Sequence, residues 1–302
     1  MRRFVVAVLV VLAAAAPIAG AANAGHGPSP LPTVSAGFDH SPTIVFPKTA
    51  APKTLSEKVL EAGTGPVITT GELLVMNYVG QIWRGKVFDS SFDRPIPSAF
   101  QIGTGEVIPG LDRTLVGLHV GSRVLLVVPP ADGYGAKGDS SAGITGKDTI
   151  VFVVDLLAAY GPKVSGDRHA VVLRTGSGGV HVSGVPPTPP KITIAKGTPK
   201  PSRVTTTVLD RGHGAKAQPG LVILQAVAVN WTGKVIDSTW AAGVPADAPI
   251  GTKGETSLLD PLIGTPLGSR VLLVGTSAST GGPYAVVVDL VAEPKGTPAQ
   301  SK

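Results

Sequence analysis

The 302-residue sequence contains no cysteine, which excludes disulfide bonds, thiol catalysis and cysteine-ligated metal sites. Only six histidines are present, and they are scattered without the spacing of metal ligands. Charged residues make up 15% of the chain, and its lysines and arginines are not clustered, so the net charge of +6 does not predict a nucleic-acid surface. We therefore expect no bound metal, no cofactor and no nucleic-acid partner.

Glycine, proline and aliphatic residues are abundant instead. Hydrophobic residues make up 43% of the chain, which is enough for a buried core. The 39 glycines and 28 prolines favour short strands joined by turns over a helical bundle. The length suits two domains of about 100–150 residues each.

The first residues have the pattern of an export signal. Arg2 and Arg3 precede a continuous apolar run from Phe4 to Ala16, and Ala22–Ala24 offers small residues for cleavage. The run is shorter than the roughly 20 residues of a membrane-spanning helix. We expect a secreted or extracytoplasmic protein with a cleaved signal peptide, the alternative being an uncleaved segment that anchors the protein in the membrane.

The chain repeats itself at an offset of about 149 residues. Gly85–Phe92 returns as Gly233–Trp240, and Gly121–Val127 returns as Gly268–Val274. Two further collinear matches lie on either side of the second of these. A period this long predicts two copies of one domain and not a solenoid.

Each copy is predicted to be mostly strand. Runs rich in valine, leucine and isoleucine, bounded by glycine and proline, predict strands at 73–79, 123–128 and 149–157. One short helix is predicted over 109–118, because Pro109 suits a first helical position and the leucines that follow share one face. The predicted fold class is α+β, with an antiparallel sheet curled around one short helix in each domain.

These patterns divide the chain into six segments. They are a signal peptide at 1–24, a Pro-rich linker at 25–52, a first domain at 53–162, a Pro/Gly-rich linker at 163–201, a second domain at 202–294 and a disordered tail at 295–302.

Six sequence blocks follow one another in a fixed order between Gly71 and Leu157. They are Tyr78–Gly80, Gly85–Ser91, Gly103–Gly110, Val120–Arg123, Pro129–Gly135 and Val151–Leu157. In order and spacing they resemble an FKBP-type peptidyl-prolyl cis–trans isomerase domain. The resemblance implies an apolar pocket between sheet and helix, prolyl-containing unfolded or flexible polypeptides as partners, and binding of macrolides such as rapamycin.

The resemblance also implies a set of site residues. The catalytic set is Tyr78, Phe88, Asp89, Tyr134 and Phe152, and the substrate-binding set is Arg94, Glu106 (through its carbonyl), Val107, Ile108, Leu111 and Ile144. Two positions depart from the usual pattern, because the pocket floor is Leu111 in place of tryptophan and the aromatic residue that is usual near Ser98 is absent. These departures bear on catalytic rate and on affinity for macrolides.

An apolar, aromatic pocket suits this chemistry for a physical reason. Rotation about the bond before proline breaks amide resonance, with a barrier of about 18–20 kcal/mol. Water solvates the twisted amide less well than the planar one, so an apolar cavity favours the twisted form, and such differential binding is catalysis. No nucleophile, metal or general acid is required.

The second copy keeps strand and turn residues but loses those of the pocket. By position, Tyr78 corresponds to Ala226, Phe88 to Ile236 and Phe152 to Val286, whereas Asp89 is kept as Asp237. We predict a degenerate FKBP-like second domain without isomerase activity. Two functions stay open for the whole chain: an exported isomerase that assists protein folding, and a non-catalytic extracytoplasmic binding or chaperone protein.

Overall fold

The computed structural model describes residues 30–252, 257–277 and 282–294. The predicted signal peptide at 1–24 and the predicted tail at 295–302 lie outside these ranges. The described residues divide into two compact units, the first mainly within residues 30–159 and the second mainly within residues 160–294. In those ranges no helix is long and apolar enough to cross a membrane.

The first unit contains a six-stranded sheet, a separate strand pair and one short helix. Its elements are β1 (Thr33–Ser35), β2 (Thr43–Val45), β3 (Ser56–Glu61), β4 (Leu73–Ile82), β5 (Val87–Ser90), β6 (Ser98–Gln101), α1 (Pro109–Thr114), β7 (Arg123–Val128) and β8 (Ile150–Tyr160). The sheet order is β3-β7-β8-β4-β5, with β6 also paired to β4. The pairs β3/β7, β4/β5 and β7/β8 are antiparallel.

The central strands β7 and β8 are buried on both faces. Alternate residues such as Leu126 and Phe152 pack with α1 in one apolar cluster. The residues between them, such as Leu125 and Val153, pack against Ile44 and the rest of the β1/β2 hairpin in a second cluster. This double burial explains why both strands read as continuous apolar runs and not as alternating ones.

The hairpin corrects the predicted linker at 25–52. Its strands are only three residues long, so no period is visible between the prolines of this segment. Phe46 packs edge-on against Trp83, which directly follows β4, with ring centroids 5.2 Å apart. The described part of the segment therefore belongs to the folded first unit.

A buried ion pair fastens the hairpin to the sheet. Arg123 and Asp155, which lie opposite each other on β7 and β8, are both 1% exposed and are joined at 2.6 and 2.7 Å. The remaining donors of Arg123 reach the carbonyl oxygens of Ala36 and His40 in the hairpin loop, each at 2.7 Å. One guanidinium group thus satisfies a carboxylate and two loop carbonyls at once.

The described part of the second unit contains a seven-stranded sheet, a separate three-stranded sheet and one short α-helix. Its elements are β9 (Val171–Val172), β10 (Gly176–Ser177), β11 (Val180–Ser183), β12 (Lys191–Ile194), β13 (Thr205–Arg211), β14 (Gly220–Asn230), β15 (Val235–Ser238), α2 (Thr239–Ala242), β16 (Ala246–Ile250), β17 (Arg270–Ser277) and β18 (Gly282–Ala292). The main sheet has the order β15-β14-β18-β17-β13-β9, with β16 on β14, and β10-β11-β12 form a separate small sheet. Strands β10–β12 lie within the predicted linker at 163–201, which is therefore folded as well.

The pairing registers of the two main sheets also agree. Leu126 lies opposite Phe152 in the first sheet, and Leu273 lies opposite Val286 in the second. Arg270 and Asp289 form the second buried ion pair, and Arg270 donates to the carbonyls of Gly184 and Thr188. Both sheets thus place an arginine opposite an aspartate on neighbouring central strands.

The helix predictions are partly wrong. In the first unit α1 ends at Thr114 and not at Leu118, because the chain turns at Gly117, whose φ of +90° no helix accommodates. In the second unit the corresponding segment is a single 3₁₀ turn at Asp260–Leu262. The described part of the second unit therefore has no α-helix that corresponds to α1. The described structure is mostly sheet.

Candidate functional site

An open cavity of about 40 Å³ lies between the sheet of the first unit and α1. Its lining is aromatic and aliphatic apart from one carboxylate, and we call it the aromatic cavity. Its lining residues are Met76, Tyr78, Phe88, Asp89, Phe100, Val107, Ile108, Leu111, Tyr134 and Phe152. All five residues of the predicted catalytic set therefore share one cavity, together with Val107, Ile108 and Leu111.

Three aromatic rings form the back of the aromatic cavity. Phe152 packs edge-on against Phe88, with ring centroids 5.6 Å apart, and lies 6.1 Å from the ring of Tyr78. This packing requires Gly80 on the neighbouring strand, because a Cβ there would lie 2.6 Å from Phe88 Cζ and 2.9 Å from Phe152 Cε1. A glycine inside a strand often marks such a close approach.

A polar network fixes Asp89 at one side of the aromatic cavity. The Tyr78 hydroxyl donates a hydrogen bond to one oxygen of Asp89, and Arg94 Nη1 donates to the other at 2.7 Å. Arg94 Nη2 also donates to the Tyr78 hydroxyl at 3.2 Å and to Ser98 Oγ at 3.1 Å. The carboxylate is thereby held in one orientation, with both oxygens engaged.

A second carboxylate shapes the loop that leads into α1. Asp112 accepts hydrogen bonds from the backbone N–H groups of Gly103 and Gly105 at 2.7 and 2.8 Å. Glu106 turns its side chain back to accept from the backbone N–H of Gln101 at 3.0 Å. These bonds position Val107 and Ile108, which follow directly, at the cavity wall.

Three predicted substrate-binding residues do not line the aromatic cavity. Arg94 acts on it through Asp89, Glu106 is held in the loop, and Ile144 is buried in the adjoining core with 4% exposure. Met76 and Phe100 line the cavity but were not predicted from the sequence. The period of two along β4 (Met76, Tyr78, Gly80) could have found the first of them.

Phe100 and Ser98 have different roles at the aromatic cavity. The missing aromatic side chain at that position is balanced two residues later on β6, where Phe100 contributes to the wall. Ser98 instead accepts from Arg94 and so supports the orientation of Asp89. The predicted departure at Leu111 stands, since that residue lines the cavity as an aliphatic side chain.

Both tyrosines of the aromatic cavity remain protonated far above neutral pH. Burial, assisted by Asp89, raises the pKa of Tyr78 to about 12. Burial, assisted by Asp139 and Asp89, raises the pKa of Tyr134 to about 12. Each hydroxyl is therefore a neutral hydrogen-bond donor across the physiological range.

These shifts predict an alkaline loss of stability. A tyrosine whose pKa is higher in the folded state than in the unfolded state, where it is about 10, favours folding below pH 10. That contribution falls away as the pH rises from about 10 through about 12. The phenolate absorbance of Tyr78 and Tyr134 should therefore appear near pH 12 in the native protein and near pH 10 in denaturant. Native titration of these two tyrosines near pH 10 would contradict the assignment.

Comparison with known proteins places the first unit in a family. Residues 65–157 match the family model of the FKBP-type peptidyl-prolyl cis-trans isomerases. An FK506-binding protein of Streptomyces anulatus is 37% identical over 118 residues, which cover 39% of this chain and 95% of that protein. The chain belongs to the FKBP-type peptidyl-prolyl cis-trans isomerase family.

Two further FKBP-type relatives match about a third of the chain. The peptidyl-prolyl cis-trans isomerase FKBP15-1 of Arabidopsis thaliana is 43% identical over 91 residues, or 30% of this chain and 59% of that protein. A solved structure of FkpA from Escherichia coli is 37% identical, covers 35% of this chain and 48% of its own, and has a TM-score of 0.33. The family match lies almost entirely within the first unit of this FKBP-type chain.

Proposed function

We propose that this chain is an exported peptidyl-prolyl isomerase that assists the folding of secreted proteins through the aromatic cavity of its first unit. The observation that carries the proposal is that Tyr78, Phe88, Tyr134 and Phe152 line one cavity with a fixed carboxylate beside it. The substrates are prolyl bonds in unfolded or flexible polypeptides. Export rests on the apolar segment at 4–16, which lies outside the described residues.

The size and the lining of the cavity suit a prolyl ring. One water molecule needs about 10–15 Å³, so a volume of about 40 Å³ admits about three small heavy atoms. The prolyl ring adds three methylene groups to the backbone. With the ring seated against Phe88 and Phe152, the adjoining amide twists in surroundings that do not solvate its planar form.

The polar groups at the edge of the cavity have separate roles in this proposal. Tyr134, kept neutral by its raised pKa, donates a hydrogen bond to a substrate carbonyl. Asp89, oriented by Tyr78 and Arg94, presents negative charge beside the rotating carbonyl carbon. Neither group exchanges a covalent bond with the substrate, so rotation alone is accelerated. Macrolide binding through the same cavity is weakened by the small floor residue Leu111.

The second unit is proposed to be a degenerate copy without isomerase activity. It keeps the scaffold, since Thr239 Oγ1 accepts from Ala226 N–H at 2.8 Å just as Ser91 Oγ accepts from Tyr78 N–H at 2.8 Å. It lacks the aromatic wall, because Ile236 stands at the Phe88 position and is 41% exposed.

The test compares matched substitutions in the two units. Phe88→Ala in the full chain should lower kcat/KM for a prolyl peptide by about tenfold or more, a loss of about 1.4 kcal/mol or more of transition-state stabilisation. Ile236→Ala, at the corresponding position of the second unit, should leave the rate unchanged. The measurement is protease-coupled isomerisation, with circular dichroism as the check on folding.

The same experiment separates the alternative function. A folded wild-type chain that does not accelerate isomerisation, yet keeps a denatured client protein in solution, would establish the non-catalytic binding protein instead. The departure at Leu111 is the specific feature that favours this alternative. Client holding lost on Phe88→Ala would place that binding in the same cavity.

A further inference from the structure

The second unit contains a cleft of its own, remote from the positions that correspond to the aromatic cavity. Its volume is about 660 Å³, within the range of about 300–1,000 Å³ typical of small-molecule sites. It lies between the small sheet β10-β11-β12 and the β9/β13 side of the main sheet, and we call it the β9 cleft. Its aliphatic wall consists of Val172, Val182, Val185 and Leu209.

A buried carboxylate lines the β9 cleft. Asp210 is only 4% exposed, and no hydrogen-bond donor or ion-pair partner of its side chain occurs among the described residues. Its neighbour across the sheet, Arg270, is committed to Asp289 and to two loop carbonyls. The carboxylates of Asp210 and Asp289 thus lie beside the single guanidinium group of Arg270. One of the two negative charges is therefore not neutralised.

The corresponding site in the first unit shows what is missing. Glu61, which lies opposite Arg123 as Asp210 lies opposite Arg270, accepts a hydrogen bond from the backbone N–H of Phe38 at 3.1 Å. Arg123 binds the carbonyls of residues 36 and 40, and Arg270 binds those of residues 184 and 188. Phe38 and Pro186 each lie midway between the two bound carbonyls and therefore correspond. Proline has no N–H group, so the second unit keeps the acid and loses its donor.

We propose that the β9 cleft binds the side chain of a lysine or arginine in a peptide, with its cationic group on Asp210 and its methylene chain along the aliphatic wall. A buried carboxylate without a donor is costly, and a ligand that brings both charge and N–H groups removes that cost. Burial, assisted by the neighbouring Asp289 and opposed by Arg270, raises the pKa of Asp210.

The other charged groups at the β9 cleft limit which peptides fit. Arg174 and His181 also line it, and both are exposed. The charge of Arg174 repels additional positive charge near the mouth, although solvent and salt screen that repulsion. The cleft therefore favours a peptide with one isolated basic residue over a polybasic segment.

The experiment is calorimetric titration of the full chain with two blocked tripeptides, Ala-Lys-Ala and its uncharged norleucine analogue. Neither contains proline, so the aromatic cavity does not enter the result. A hydrogen bond between charged groups is stronger than one between neutral groups, so the lysine peptide should bind about tenfold or more tightly than the analogue. Asp210→Asn should remove that difference, whereas the matched Glu61→Gln change in the first unit should leave it intact.

Three results would overturn the proposal. The two peptides could bind equally, or Asp210→Asn could leave the preference for lysine unchanged. The wild type could also fail to bind while Arg174→Ala binds, which would mean that Arg174 itself closes on Asp210 in solution. Circular dichroism of each variant confirms that the second unit is folded, so loss of binding is not read from an unfolded chain.

Discussion

Replacing Arg123 by leucine should destabilise the first unit by about 3–5 kcal/mol, the cost of leaving one member of a buried ion pair uncompensated. Asp155 would remain 1% exposed without its cation, and the carbonyls of Ala36 and His40 would lose their donors. Urea unfolding measures the loss. Hydrogen exchange should also show early loss of protection in β1 and β2, because the guanidinium group joins them to the sheet.

Arg113→Leu is the matched control. Arg113 also pairs with a carboxylate, that of Asp132, but its side chain is 62% exposed. Solvent-exposed pairs contribute less than about 1 kcal/mol, so this change should hardly move the unfolding midpoint. Equal effects from the two substitutions would mean that burial of the Arg123 pair does not matter.

The second large effect is expected on activity. Gly80→Ala adds a methyl group that would lie 2.6 Å from Phe88 Cζ and 2.9 Å from Phe152 Cε1, so both rings must move. A misplacement of about 1 Å can cost about 100-fold in rate, and we expect kcat/KM for a prolyl peptide to fall by about 10–100-fold. Overpacking should also destabilise the first unit, by about 1–3 kcal/mol.

The second unit supplies the control for this substitution. Ala228 has the register of Gly80, since it lies opposite Asp237 as Gly80 lies opposite Asp89. An extra methyl group is accommodated there because Ile236 and Val286 replace the two phenylalanines. Ala228→Gly should leave the isomerase rate unchanged. A folded Gly80→Ala variant with the wild-type rate would show that the positions of the two rings do not limit catalysis.

Three central strands of the first unit could be predicted from sequence, whereas the elements that cover them could not. The run Arg123–Val128 is a strand with the predicted bounds, because six residues of this composition leave little alternative. The hairpin over residues 33–45 was missed because three-residue strands between prolines carry no visible period. The end of α1 was misplaced because three leucines at helical spacing outweighed Gly117 in the sequence pattern.

The residues of the candidate site could likewise be predicted only in part. The residues quoted from the family blocks, such as Tyr78 and Phe152, lie together in the aromatic cavity. Phe100 and Gly80 were missed because their importance depends on which strands are neighbours, and sequence spacing does not show this. Asp210 could not be identified for a related reason. Its side chain lacks a donor because Pro186 stands where the first unit has Phe38, and sequence spacing does not show that these two positions correspond.

The β1/β2 hairpin determines where a recombinant fragment of the first unit should begin. A fragment that starts at residue 53, the predicted start of the first domain, would leave Leu125, Val127, Val151 and Val153 without the cover provided by Ile44. Such a bare apolar surface promotes self-association. A recombinant fragment of the first unit should therefore begin at about residue 30, and shorter fragments should precipitate even though their catalytic residues are intact.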